Sequence, residues 1–139
     1  KIIAVNSGEN AVEFIDRTKE FGLAPFESDA SVAVADGKVG ISIPVSMNGM
    51  DIVDVLSSVH TKGVTDTTDI QIRRRRAGSD VDMLSTPITI GDEWFANDGV
   101  VDTANDDLAT GDMIFIDVDD IHSGTAPLGL SVVITAQLP

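Results

Sequence analysis

Short β-type segments separated by turn residues dominate this sequence from residue 31 onward, and no other feature constrains the fold as much. The segments are rich in Val and Ile, and Gly, Asn, Asp or Pro lies between them. In 31–43, Asp36 and Gly37 supply the positive φ of a tight turn and predict a β-hairpin. Pro87 inside 83–90 indicates an edge strand or a bulge. The other predicted strands are 52–61, 69–75, 113–118 and 130–138.

Seven or so strands of this kind predict an all-β fold, an antiparallel β-sandwich with jelly-roll-like topology. The single helical pattern lies at 7–21, where Ser7 suits the N-cap and Gly22 suits the residue after the last turn. A helix this short is marginal alone, so we expect it to pack on this chain or on a neighbouring copy. The chain is therefore divided into an N-terminal arm with a short helix, 1–30, for attachment or oligomerisation, and a β-sandwich domain, 31–139.

Charge is distributed unevenly along the chain. There are 9 Lys and Arg against 23 Asp and Glu, which gives a formal net charge of −14. Residues 77–139 hold twelve of the acidic residues and no Lys or Arg. Nucleic acid and anionic membranes require a cationic protein surface, so neither is expected as a partner. In addition, no apolar run approaches the roughly 18 residues of a membrane-spanning helix.

Four consecutive arginines interrupt this acidic background. If the strand at 69–75 continues, Arg74 and Arg76 share a face with Ile72, while Arg73 and Arg75 take the other face. Guanidinium groups pair bidentately with carboxylates. We therefore predict that the run pairs with the acidic C-terminal portion, in this subunit or in the next, and we assign all four arginines to an interface.

Patterns of known enzyme sites do not occur in the sequence. It has no Gly-x-Ser-x-Gly elbow, no Walker loop and no His-Glu-x-x-His pair. The only imidazoles, His60 and His122, sit in or beside predicted strands, where surface or packing roles are usual. The absence of Cys excludes disulfides, thiolate zinc sites and cysteine nucleophiles. We predict no enzymatic activity, no catalytic residue and no cofactor.

Calcium is the metal that an acidic, Cys-free chain would favour, because its ligands are oxygen atoms. Two clusters are candidates, and a solvated acidic rim is the alternative interpretation of both. Neither matches the spacing of a known calcium loop, so no metal site is predicted. The clusters are Asp102, Asn105, Asp106 and Asp107 in one loop, and Asp117, Asp119 and Asp120 after a strand.

Aromatic residues are few, and their positions in the sequence suggest which of them make surface contacts and which pack in the core. Trp94 and Phe95 are interpreted either as an exposed anchor for an interface or ligand, or as a plug that covers one end of the sandwich. Phe26 is a third contact candidate. Phe14, with Ile15, is assigned to the packing face of the predicted helix and to an interface. The remaining phenylalanines that we assign to the core are Phe21 and Phe115.

Five short sequence patterns occur one after another over 40–139. They are Gly40-x-x-x-Pro44-x-x-x-Asn48-Gly49, Asp69-Ile-Gln-Ile-Arg73, Asp80-Val-Asp-Met-Leu-Ser-Thr86, Gly111-Asp-x-Ile-x-Ile-Asp-Val118 and Pro127-x-Gly129-Leu130. This part of the chain resembles a β-sandwich domain of tailed-bacteriophage virion proteins, of the tail-fibre and capsid-decoration kind. The patterns consist of turn glycines and strand residues, and Gly91-Asp92-Glu93 replaces a Ser-Gly-Glu-like turn, so no site residue is carried over.

The resemblance implies a non-enzymatic structural protein present in many copies on the virion surface. Its expected partners are copies of itself, with a trimer favoured, and other virion proteins such as capsid or tail. The alternative is a carbohydrate- or calcium-binding module of an extracellular adhesin or receptor-binding protein. That alternative predicts binding of a host surface glycan or of calcium at Trp94 or the 102–107 loop.

Overall fold

A computed structural model describes residues 2–5, 12–15 and 17–139 of the chain, and these residues form an all-β structure. All strand pairs among them are antiparallel, which confirms that the fold is all-β and antiparallel, as predicted. A single turn of 3₁₀-helix, Val45–Met47, lies between two strands. In chain order the strands are β1 (Ile2–Val5), β2 (Val12–Ile15), β3 (Thr18–Ser31), β4 (Gly40–Ser42), β5 (Asp51–Thr61), β6 (Thr68–Arg76), β7 (Ser79–Asp82), β8 (Leu84–Thr86), β9 (Ile88–Ile90), β10 (Phe95–Ala96), β11 (Val100–Val101), β12 (Met113–Asp120) and β13 (Leu128–Gln137).

Two larger sheets organise the described residues. A four-stranded sheet has the order β10-β5-β13-β3, and a five-stranded sheet has the order β4-β12-β6-β7, with β9 also pairing with β6. Two smaller pairs, β1 with β2 and β8 with β11, complete the set. The long strands β5 and β13, and β6 and β12, lie at the centres of the two sheets.

The inward faces of both large sheets contribute to one hydrophobic core. Side chains alternate along the strands, so every second residue of β5, β13, β6 and β12 points inward. The least exposed of these include Ile52 and Ile134 from the four-stranded sheet and Ile72 and Ile116 from the five-stranded sheet. Full burial of one such side chain stabilises the fold by about 1.5–3 kcal/mol.

The helix predicted over 7–21 is wrong in the part that the structure describes. Val12–Ile15 is strand β2, and Thr18–Ser31 is strand β3, which pairs with β13. Residues 6–11 and 16, including the expected N-cap, lie outside the described residues. The physical reason is tertiary: around Gly22 the chain also has a period of two, and pairing with β13 overrides a weak local helical preference.

Other local predictions are confirmed or corrected by the sheet pairing. The strands predicted at 52–61, 69–75, 113–118 and 130–138 are confirmed as β5, β6, β12 and β13. Pro87 does interrupt its segment, which forms β8 and β9 in different sheets. The hairpin predicted over 31–43 is wrong: Gly37 has the expected positive φ of 63°, but β3 and β4 belong to different sheets. The backbone of Ala35 bridges to Val118 instead.

Candidate functional site

The arginine run occupies the C-terminal half of β6, and alternation along the strand divides it between two faces, as predicted. Arg74 and Arg76 face the loop before β12. Arg74 Nη1 donates to the Asp107 carboxylate at 2.8 Å and to the Asp107 carbonyl at 2.6 Å. Arg76 binds Asp112 with two parallel hydrogen bonds of 2.8 and 2.7 Å and reaches Asp107 Oδ2 at 2.9 Å. These contacts fasten the loop 105–112 to the edge of the core.

On the opposite face of β6, Arg73 and Arg75 share the carboxylate of Asp80. Arg73 Nη1 and Arg75 Nε donate to it at 2.8 and 2.7 Å. Arg73 Nε also donates to Asp117 Oδ2 at 2.7 Å, and the other oxygen of Asp117 accepts the Gly37 N–H at 2.6 Å. Both guanidinium groups lie over the ring of Phe115, 4.7 and 5.4 Å from its centroid, an arrangement that favours cations.

The predicted pairing of the arginines with the acidic C-terminal portion is therefore confirmed, and it occurs within the chain. The four carboxylates that accept from the run all belong to 77–139. Asp117 and Asp112 are buried, whereas Asp80 and Asp107 are partly exposed. The assignment of the four arginines to an interface between subunits stays a prediction.

Most carboxylates of this network are held in the ionised form. The hydrogen bond from Arg75 lowers the pKa of Asp80, and the bond from Arg76 lowers the pKa of Asp107. Burial acts to raise the pKa of Asp112, but its bonds from Arg76 and from a backbone N–H outweigh burial, and the pKa is lowered. The network therefore depends on pH values at which Asp80, Asp107 and Asp112 are charged.

Two other aspartates have the opposite electrostatic environment. Burial, and then repulsion from Asp117 and other carboxylates, raises the pKa of Asp119. Burial, and then the charge of Asp51, raises the pKa of Asp106. In each case like charges crowd a partly desolvated carboxyl group, so ionisation of these two residues opposes folding.

The calcium candidates do not form a cation site in the described part of the chain. The carboxylates of Asp107 and Asp117 bind guanidinium groups. Asp102 accepts hydrogen bonds from the Ala104 N–H and from Asn105 Nδ2, which closes its own loop. Among the described residues, no group of three or more acidic or imidazole side chains has the geometry to hold a metal ion.

His122 is buried in the core, which agrees with the packing role expected from the sequence. Its Nδ1 lies 2.9 Å from Thr68 Oγ1, and its Nε2 lies 3.3 Å from the Gly91 carbonyl. A Cβ at Gly63 would come within 2.5 Å of the imidazole, so only glycine fits there. His60, in contrast, is exposed on the outer face of the four-stranded sheet.

The outer face of the four-stranded sheet carries a pocket that the sequence pattern did not reveal. The register of β13 against β3 shifts on both sides of Leu130, and Gly129 has a φ of 63°. The shifts open a depression of about 300 Å³. Its floor is apolar and its rim carries hydroxyl and imidazole groups. The floor consists of Phe26, Val59 and Leu130. The rim consists of Ser28, Ser58, His60 and Ser131. Phe26, a contact candidate from the sequence, is 5 % exposed and belongs to this floor.

Trp94 and Phe95 are exposed. This agrees with their interpretation as an anchor and not with their interpretation as a plug, which would bury them. They are 54 % and 58 % exposed. Lys62 forms an ion pair with Asp92 at 3.0 Å and lies 5.6 Å from the centroid of the Trp94 ring. The surrounding groove has a volume of about 500 Å³ and is also lined by polar side chains, including Asn97. Phe95 belongs to β10 and lies directly opposite Ser58 of β5.

Comparison of this chain with protein-family models, with curated proteins and with solved structures gave no match. Within the part of the chain that the structure describes, no helix is long and apolar enough to cross a membrane.

Proposed function

We propose that this chain is a non-enzymatic structural protein that assembles in multiple copies on the surface of a tailed-bacteriophage particle, as capsid decoration or as part of a head or tail fibre. The observation that carries the proposal is the outer face of the four-stranded sheet. Its central positions carry no Asp, Glu, Lys or Arg, although the net charge of the chain is −14. Copies of such a chain repel each other everywhere except where the surface is neutral.

The strand order supports a β-sandwich with jelly-roll topology for this protein. Without β9, which pairs with the first residues of β6, the two large sheets contain eight strands, in chain order β3, β4, β5, β6, β7, β10, β12 and β13. One sheet contains the first, eighth, third and sixth of them, and the other contains the second, seventh, fourth and fifth. Among these eight, each connection except the β6–β7 hairpin passes from one sheet to the other. Jelly rolls have eight strands in two such sheets and occur in viral capsid and lectin domains, an analogy of fold alone.

The arginine–aspartate network supports a structural role in a second way. It neutralises the one strongly basic segment inside the chain, so the remaining surface charge is mainly negative. Negative surfaces keep densely arranged copies soluble, and dissolved salt screens their repulsion within about 10 Å. Two glycines of the patterns that resemble virion domains, Gly49 and Gly111, lie at turns, with φ of 81° and 87°.

The proposal is tested by locating the chain on the particle that contains it. We expect an antibody against the purified chain to decorate one repeated position on the particle surface in electron micrographs. Quantification of the chain against the major capsid protein is expected to give a copy number set by particle symmetry. Purified particles without this chain, or with one copy each, would contradict the proposal.

A second candidate function, glycan binding, is favoured by the groove around Trp94. An exposed indole beside the amide of Asn97 and the carboxylates of Asp92 and Glu93 offers an apolar platform together with hydrogen-bonding groups. Trp94→Ala is expected to abolish binding on a glycan array, whereas Val64→Ala, a change at a similarly exposed residue outside the groove, is the matched control. An array that stays negative for the unmodified protein would remove this candidate.

A further inference from the structure

We propose that a second copy of this chain docks on the outer face of the four-stranded sheet, with Phe95 of each copy inserted into the pocket beside Leu130 of the other. The inference rests on the proposed function, because it names the contact through which copies assemble. It starts from two features of one surface, an unfilled apolar pocket and an exposed aromatic ring.

The pocket is a permanent feature of the backbone. The sheet opens at the register shifts around Leu130, and a side chain at Gly129 would contact Ser28 Cα at 2.8 Å, so the chain keeps glycine there. Phe26, Val59 and Leu130 are each less than one tenth exposed and form its floor. Lys38 Nζ lies 3.9 Å from the centroid of the Phe26 ring. A volume of about 300 Å³ with an apolar floor accommodates one aromatic side chain.

The ring that matches this pocket lies one strand away on the same face. Phe95 is 58 % exposed and lies opposite Ser58, whose hydroxyl group is on the pocket rim. Ser58 Oγ is hydrogen-bonded to Ser131 Oγ at 2.9 Å, which fixes the rim between the ring and the pocket. When two copies are related by a two-fold axis, the exposed ring of each copy can enter the pocket of the other, because ring and pocket lie side by side on one surface.

The charges on this face permit close approach of a second copy. Three successive rows of outward residues contain no charged side chain on β10, β5 and β13, whereas the edge strand β3 has the exposed Glu27 and Asp29 on either side of Ser28. The first row is Gly22, Val133 and Leu56, the second includes Ser131, Ser58 and Phe95, and the third includes Gly129 and His60. Along β13, the next carboxylates, Glu20 and Asp54, lie in the row of Thr135, about 13 Å from Ser131. At the border of the face, Asp92 and Glu93 line the groove beside Phe95. Two such faces can therefore meet over the uncharged rows of β5 and β13, with the carboxylates at the border of the contact.

The size of the face indicates the strength of the contact. Four strands and three rows cover roughly 20 Å by 20 Å, about 400 Å² for each copy. Stable pairwise interfaces bury about 800 Å² for each partner, so an isolated pair is expected to be weak. In a multicopy particle the contact gains from high local concentration. A ring and a pocket on one face specify a two-fold pair, which differs from the trimer that the resemblance implies.

The test is sedimentation of the full-length protein over a wide concentration range. The unmodified chain is expected to dimerise reversibly. Phe95→Ser, which removes the ring, and Ser28→Asp, which puts a carboxylate on the pocket rim, are each expected to raise the dimer dissociation constant at least 30-fold, on the order of an interface hot spot. Val64→Ser, at another 58 % exposed residue, is expected to leave it unchanged, and thermal unfolding controls for folding.

The outcomes separate this inference from the proposed function. If the unmodified chain assembles and neither Phe95→Ser nor Ser28→Asp weakens assembly, the docking inference is overturned and the structural function stands. If the unmodified chain is monomeric and Phe95→Ser lowers its melting temperature, the ring packs within its own chain, which also overturns the inference. If the chain is monomeric at every concentration and absent from particles, the proposed function fails as well.

Discussion

Replacing Asp117 with alanine is expected to lower the free energy of unfolding by about 3 kcal/mol. The Asp117 side chain is 7 % exposed and binds Arg73, whose side chain is 15 % exposed. Without the carboxylate, a largely buried guanidinium loses its closest partner and the Gly37 N–H loses its acceptor. Uncompensated buried charge costs about 3–5 kcal/mol, and the remaining bond to Asp80 puts the loss at the lower end. Chemical denaturation of the variant and of the unmodified protein measures the difference.

Asp80→Ala is the matched control, because Asp80 binds the same arginine from the solvent side. Its side chain is 35 % exposed, and exposed ion pairs contribute little to stability. Both variants remove one negative charge, so a general effect of net charge would change them equally. An Asp80→Ala variant as destabilised as Asp117→Ala would show that burial of the pair does not determine its contribution.

The free energy of unfolding is expected to have a maximum in mildly acidic solution and to fall steeply below pH 4. The carboxyl groups of Asp80, Asp107 and Asp112 have folded-state pKa values below their unfolded value of about 3.9. Their stabilising contribution is fully present above the unfolded pKa and is lost as the pH falls through the lower folded pKa. Asp106 and Asp119 act with the opposite sign, because their folded-state pKa values are raised.

The raised groups destabilise the fold at neutral pH, and protonation removes that penalty as the pH falls through their folded pKa values. Relief of general repulsion in a chain of net charge −14 acts in the same direction. The melting temperature, measured from pH 8 down to pH 3, should therefore rise before it falls. Asp119→Asn should raise the melting temperature at neutral pH and reduce the rise on mild acidification. A profile that declines steadily from pH 8, with no effect of this substitution, would contradict the assignment.

The arginine–aspartate network was predictable from the sequence to the extent that it depends on local geometry. Alternation along β6 predicts which arginines share a face, and composition predicts that carboxylates are their partners. Asp80 follows from the chain as well, because the tight turn at Ala77 and Gly78, both with positive φ, returns it beside Arg75. The roles of Asp112 and Asp117 could not be predicted in this way. They are more than 30 residues from the arginines in sequence, and the pairing of β6 with β12 brings them into contact.

The pocket and strand β3 could not be predicted from local sequence, for related reasons. Helical spacing in 7–21 is a genuine local signal, but pairing with β13 at the far end of the chain determines the conformation of Thr18–Ser31. The pocket depends on register shifts between these same strands. A glycine at 129 suggests a turn or a bulge, yet nothing in the sequence indicates that Phe26 and Ser28 are its neighbours.

We propose that copies of this chain assemble through a neutral surface, whereas the arginine run is neutralised within the chain. Sedimentation of the unmodified protein at increasing sodium chloride, from about 0.05 M to about 0.5 M, tests it most directly. We predict that association strengthens with salt, because screening weakens the repulsion between acidic copies and leaves an apolar contact intact. Dissociation with rising salt would contradict the account, since it would indicate that arginine–carboxylate pairs between subunits hold the copies together.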